Sequence, residues 1–222
     1  MGRVRHSAPR GGTCMIAPLL VWTGILAAMI YLPLTEDEPS WPRTLVKVLP
    51  LAVFAGAAWL SGNTAFLVAG LLLSAVGDGA LSRHGQQAFL FGLAAFALAH
   101  LLYALHFLVL SQTPLWEAFI VNTPMAVFLV AFAVLGEVWL IPYTRHLAWP
   151  VRVYVGLITL MGLAALTLPI GTAFLGAAFF IASDTLLAFL LFRLDEENPL
   201  TWRLGWAVWI FYIAGQAMIL SA

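Results

Sequence analysis

Charge is scarce in this chain. Ten Lys and Arg and ten Asp and Glu make up 9% of its 222 residues, where a soluble domain carries roughly a quarter. That excludes an ordinary solvated surface. The equal counts of the two signs remove any argument for nucleic acid or another highly charged partner. Cysteine is nearly absent, and the single Cys14 excludes an internal disulfide framework and a cysteine-built metal site. Nor does the chain contain a GxSxG elbow, a P-loop, a dinucleotide fingerprint or an HExxH pair. Of the five histidines (His6, His84, His100, His106, His146), only His100 and His106 fall inside apolar runs. Six residues of helix turn their side chains about 240° apart. No metal and no cofactor are therefore expected, although one His with two Asp stays open as a ligand set.

What the chain has instead is apolar length. Hydrophobic residues are 63% of the total and mean hydropathy is +0.98, so an all-α, multi-pass membrane protein is expected, placed in a bacterial cell membrane. Eight runs of crossing length are expected near 15–32, 44–61, 64–82, 87–110, 118–140, 148–169, 171–192 and 201–221. Pro-, Gly- or charge-bearing breaks separate them: LPLTEDEPSWPR, SGN, SRHGQQ, SQTPLWE, PYTRH and DEENP. Only Pro169 and Gly171 divide the sixth run from the seventh. Trp41, Trp116, Trp139, Trp149 and Trp202 lie near run ends, as an interfacial aromatic belt requires. Residues 1–14 read as a basic tail ahead of an eight-helix domain over 15–222. With no small-x-small site closing it, the first run reads as a retained helix and not a signal peptide. Orientation stays open. Arg43, Arg83, Arg145, Arg152, Arg193 and Arg203 favour one side as cytoplasmic, while Arg3, Arg5 and Arg10 before the first helix favour the other.

Against that background two carboxylates stand out, Asp78 in LVAGLLLSAVGDGALSR and Asp184 in GAAFFIASDTLLAFLLFR. An ionisable group inside a membrane helix is costly and by default marks a functional site. Similar offsets relate the two halves of the chain: 184 − 78 = 106, 154 − 47 = 107 (Lys47, Tyr154) and 212 − 103 = 109 (Tyr103, Tyr212). They suggest a parallel repeat of four helices plus four. With alternating helix directions, Asp78, Asp184, Lys47 and Tyr154 fall in the leaflet away from the termini, and His100 and Tyr212 near the midplane. Ser74 and Asp78, Tyr212 and Gln216, and His100 and Tyr103 share helix faces by their spacing. These read as polar stripes facing a cavity. Plainer roles exist for each. Ser74, Ser183 and Gln216 can serve as packing glue, the tyrosines as satisfied core residues, and Lys47 as a snorkelling cation. The aspartates can be one half of a structural ion pair. Glu137 and Arg152, near run ends, read as solvated.

Six segments in order, LVKVLP, GLLLSAVGDGAL, FGLAAFALAHLLYALHF, WPVRVYVGLITLM, GAAFFIASDTLLAF and FYIAGQAMI, resemble the YhhN family of integral membrane proteins. The family's characterised members are lysoplasmalogenases. The chain differs in having Val48-Leu49-Pro50 where a tighter Lys-Pro pair is expected. The resemblance implies a membrane-embedded ether hydrolase. Its substrate would be a lysophospholipid, a lysoplasmalogen cleaved to a fatty aldehyde and glycerophosphoethanolamine or -choline, with membrane lipid as surroundings. Asp78 and Asp184 would be catalytic, with Asp78 taken as the acid and Asp184 as the base or the stabilising anion. Lys47 would contact the phosphate. Ser74, His100, Tyr103, Tyr154, Ser183, Tyr212 and Gln216 would bind or orient substrate and water. A second class of function, a proton-coupled transporter or lipid flippase, would also use intramembrane aspartates. Head group, chain length and oligomeric state are not legible.

Overall fold

The computed structural model describes residues 13–195 and 198–222. The first twelve residues of the expected basic tail, and Glu196 and Glu197 of the last expected connection, lie outside them. The described residues form nine α-helices and no strand: α1 (Thr13–Tyr31), α2 (Trp41–Leu60), α3 (Ala65–Leu81), α4 (Gln86–Ser111), α5 (Glu117–Val121), α6 (Thr123–Trp139), α7 (Ala148–Ala165), α8 (Thr172–Arg193) and α9 (Thr201–Leu220). Seven helices, three of them lengthened by adjoining 3-10 turns, are long and apolar enough to cross a bilayer. An eighth, α3, has 17 residues and sits at the low end of the crossing range. The chain is an integral, multi-pass membrane protein.

Local chemistry sets the boundaries. Ser40 caps α2, its Oγ accepting from the Arg43 amide at 3.3 Å, and Thr64 caps α3 by accepting from the Leu67 amide at 3.2 Å. Gly62 (φ +73°) turns the chain between α2 and α3, where a side chain would be strained. Two expected boundaries move. The fifth run is not one helix, because Asn122 leaves helical geometry (φ −132°, ψ 47°) and Pro124 follows in the first turn of α6. The Asn122 side-chain amide then donates to the Leu166 carbonyl at 2.9 Å, satisfying a group exposed where α7 ends. The sixth run stops at Ala165 rather than 169, so the connection to α8 is longer than Pro169 and Gly171 alone suggested.

Packing is uneven, and the unevenness makes the cavity. α3 lies close on α4, with Gly70 against the Tyr103 ring so tightly that an added Cβ would sit 2.5 Å from it. α8 and α9 touch backbone to backbone, a Cβ on Gly176 falling 2.9 Å from the Gly215 carbonyl oxygen. Small residues permit such approaches in membranes, where dispersion and not water expulsion joins helices. α1 packs on α2, α2 on α3, and α4 on α7 across the two halves. α6 leans on α7 but stands away from α8. The expected repeat is therefore approximate, with the α3–α4 and α8–α9 pairs alike and the flanking helices arranged differently.

Candidate active site

The gap left by α6 opens into a cavity of about 710 Å³ at the membrane end where α1 finishes and α2 begins. Asp78, near the end of α3, and Asp184, two-thirds along α8, both line it. Each aspartate takes one partner from its own half and one from the other. Asp78 lies 3.6 Å from the Lys47 ammonium on α2 and accepts a 2.7 Å hydrogen bond from the Tyr212 hydroxyl on α9. Asp184 accepts a 2.5 Å hydrogen bond from the Tyr154 hydroxyl on α7, and His100 Nε2 on α4 stands 3.7 Å from the same oxygen. The offset pairs Asp78/Asp184 and Lys47/Tyr154 thus occupy matching positions.

The two environments differ in charge. An anion at Asp78 has its countercharge beside it in Lys47, whose ammonium also lies 5.9 Å from the centre of the Tyr31 ring. Asp184 meets a phenol and an imidazole. His100 is fully buried, packed edge-on against Tyr154 and Phe180 with ring centroids 5.1 and 4.6 Å away, and neither ring nitrogen has a hydrogen-bond partner among the described residues. At 3.7 Å the His100–Asp184 approach is too long for a hydrogen bond.

Of the other expected site residues, Ser183 lines the cavity and ties α8 to α9, its hydroxyl donating to the Val208 carbonyl at 2.9 Å. Ser74, Tyr103 and Gln216 lie together but elsewhere. Tyr103 donates to Gln216 Oε1 at 2.7 Å and lies 3.2 Å from Ser74 Oγ, a fully buried knot joining α3, α4 and α9 outside the cavity wall. Arg152 and Glu137 form an exposed ion pair at 2.6 Å. His106 bonds Thr64 at 2.8 Å, on a different contact from His100. No three His, Cys, Asp or Glu side chains converge among the described residues.

The cavity is amphipathic. Arg43, Lys47, Arg83, His84 and Glu36 line its polar end, and α6, α7 and α8 supply apolar walls including Phe132, Leu129 and Ile181. A second, apolar groove of about 400 Å³ between α6 and α8 shares those three apolar residues with it. An elongated molecule with one polar end fits this shape.

A family model for the YhhN family matches residues 42–222. The chain belongs to the YhhN family. Every site residue expected from the sequence, Lys47 through Gln216, falls within the matched segment. Among relatives of this YhhN chain, lysoplasmalogenase TMEM86B of Sus scrofa is 38% identical over 172 residues, covering 72% of this chain and 67% of that protein. The Homo sapiens protein of the same name is 45% identical over 85 residues, which span 36% of this chain and only 37% of the human protein. The uncharacterized membrane protein YhhN of Escherichia coli O6:H1 is 27% identical over 179 residues, 74% of this chain and 83% of that one. No solved structure matches.

Several cavity residues of this YhhN protein escaped the sequence reading. Trp209 donates from its indole nitrogen to the Ala28 carbonyl at 2.9 Å and packs on Tyr31 with centroids 4.5 Å apart, closing the wall behind Lys47. Its position three residues before Tyr212, on one helix face, was the available signal. Tyr31 and Arg83 sit at helix ends, where aromatic and basic residues ordinarily mark the interface.

Proposed function

We propose that this protein is a lysoplasmalogenase-like hydrolase, cleaving the vinyl ether bond of a lysoplasmalogen to a fatty aldehyde and a glycerophosphoethanolamine or -choline. The observation that carries the reading is the pair of aspartates on one amphipathic cavity, one beside a cation and the other beside neutral groups. The relatives named lysoplasmalogenase support it. The alkenyl chain lies along the α6–α8 groove, which gives it a path from the bilayer, and the head group stays at the cationic end.

Vinyl ethers are hydrolysed by protonation at the β-carbon. The step needs an uncharged carboxylic acid, and an apolar setting favours the uncharged form of such a group. Asp184 suits this role, since no countercharge accompanies it; Asp78, paired with Lys47, suits the carboxylate. This reverses the assignment expected from the sequence. Asp184 gives its proton to the β-carbon, where the C=C π pair forms the new C–H bond. A lone pair of the ether oxygen is drawn to the electron-deficient α-carbon, making an oxocarbenium ion that faces the new Asp184 carboxylate. Water adds at the α-carbon while Asp78 takes its proton, giving a hemiacetal. Asp78 then returns that proton to the ether oxygen as the carbon–oxygen bond breaks, and the hemiacetal hydroxyl proton restores Asp184. One water is consumed and both carboxyl groups end as they began. Two carboxyl groups in differing surroundings, one with a cation beside it and one without, suit acid–base chemistry of this kind.

The test is where the solvent hydrogen goes. Purified protein in detergent, given lysoplasmenylethanolamine in D2O with the aldehyde reduced as it forms, is expected to yield one deuterium on the carbon next to the former carbonyl. Absence of aldehyde release, or aldehyde without that deuterium, sinks the mechanism.

A further inference from the structure

Three cations with long side chains line the polar end of the cavity, and two of them are already engaged. Lys47 is the partner of Asp78 at 3.6 Å. Arg43 donates from Nε to the Leu34 carbonyl at 2.7 Å and from a terminal nitrogen to the Thr35 carbonyl at 2.8 Å, which ties down the 3-10 turn after α1. The third is different. Arg83 lines the cavity, yet its Nη2 is a buried donor with no acceptor among the described residues. Its guanidinium lies over the Trp41 ring, 3.9 Å from the centroid.

A buried charged donor without an acceptor is unfavourable, by more than a neutral group would be. The stacking on Trp41 offsets part of that and holds the guanidinium plane in one attitude. A planar guanidinium fork with one terminal N–H group desolvated and without an acceptor is suited to binding phosphate oxygens two at a time. Position agrees with chemistry. Arg83 follows Asp78 by five residues in the chain: three residue steps along α3 toward the membrane surface, about 4.5 Å at helical rise, and then two residues of turn beyond Leu81. The three-carbon glycerol bridge of a lysolipid, which separates the sn-1 ether from the sn-3 phosphate, spans such a distance.

We propose that Arg83, not Lys47, anchors the substrate phosphate, so that the cavity selects a phosphate-bearing lysolipid over a neutral ether lipid. The proposal rests on reading the cavity as a lysolipid hydrolase site. It concerns recognition, and so can be tested without turnover.

The probes are two saturated, non-hydrolysable ethers of equal chain length: 1-alkyl-lysophosphatidylethanolamine and 1-alkylglycerol, which lacks the phosphate. Binding to the purified full chain in detergent is compared for wild type, Arg83→Gln and Arg83→Lys. Arg83→Gln should weaken the lysophospholipid by about tenfold or more, the scale of a lost charge-assisted hydrogen bond. The alkylglycerol should change by less than about twofold on the same scale, and Arg83→Lys should recover part of the phospholipid affinity. Equal affinity of wild type and Arg83→Gln for the phospholipid overturns the proposal. So does an equal loss for both lipids, which would make Arg83 a structural residue only. Displacement of the lysophospholipid by inorganic phosphate at like concentration would assign the site to the free anion and overturns it too. If wild type releases no aldehyde but shows the Arg83-dependent difference, the hydrolase reading falls while the phosphate anchor stands.

Discussion

The two aspartates stand at matching places in the two halves, yet the halves treat them differently. Asp78 sits where α3 packs closely on α2 and α4; its side chain is 4% exposed and an ammonium faces it. Asp184 sits where α6 stands off α8, so its side chain is 15% exposed, and its partner is a hydroxyl. Tight packing plus a cation suits a fixed negative charge. An open wall without a cation suits a group that must reach substrate and give up a proton. On the proposed reading, the difference teaches that a repeated scaffold can acquire two roles by changing one partner, lysine in the first half and tyrosine in the second, together with the packing of the flanking helices.

The sharpest way to break this comparison is to neutralise each carboxylate. Asp184→Asn should lower kcat by about 10²–10⁴, the usual contribution of a positioned general acid, with little effect on thermal stability. Asp78→Asn should lose a similar factor in kcat, but it also strands the Lys47 charge and should lower the melting temperature in detergent. Aldehyde release and thermal unfolding on the same preparations decide the matter. If the two variants melt alike, the charge asymmetry has no energetic weight.

A second variant separates charge from chemistry. Lys47→Met leaves the Asp78 carboxylate buried without its partner and should destabilise the fold by about 3–5 kcal/mol, as removal of one member of a buried ion pair does. Lys47→Met combined with Asp78→Asn should regain much of that stability and none of the activity. Failure of the second change to restore stability would show that Lys47 acts through its contact with Tyr31 and not through Asp78.

How much of this was legible follows from what a linear pattern carries. Apolar run length marked the membrane helices, and a carboxylate in such a run marked Asp78 and Asp184, because both signals are local. The Asn122–Pro124 break passed unnoticed since apolar residues continue on both sides of it. Depth in the membrane could be counted from helix direction, and it put Lys47, Tyr154 and both aspartates in one leaflet without saying which partner meets which carboxylate. Rotation of one helix against its neighbour could not be counted. That is why Ser74, Tyr103 and Gln216 were grouped with the cavity, although they meet behind it, and why Arg83 was counted only among the basic residues that bear on orientation.

The smallest effect tests that last distinction. Tyr103 and Tyr212 correspond at an offset of 109, but only Tyr212 touches a cavity aspartate. Tyr103→Phe removes the hydrogen bond to Gln216 and keeps the ring against Gly70, so it should cost about 1 kcal/mol of stability and leave aldehyde release within about twofold of wild type. Tyr212→Phe removes the donor to Asp78 and should slow turnover by more than that. If instead Tyr103→Phe were the slower enzyme, the buried knot of Ser74, Tyr103 and Gln216 would belong to the site after all, and the functional boundary would lie one helix face deeper than the cavity wall.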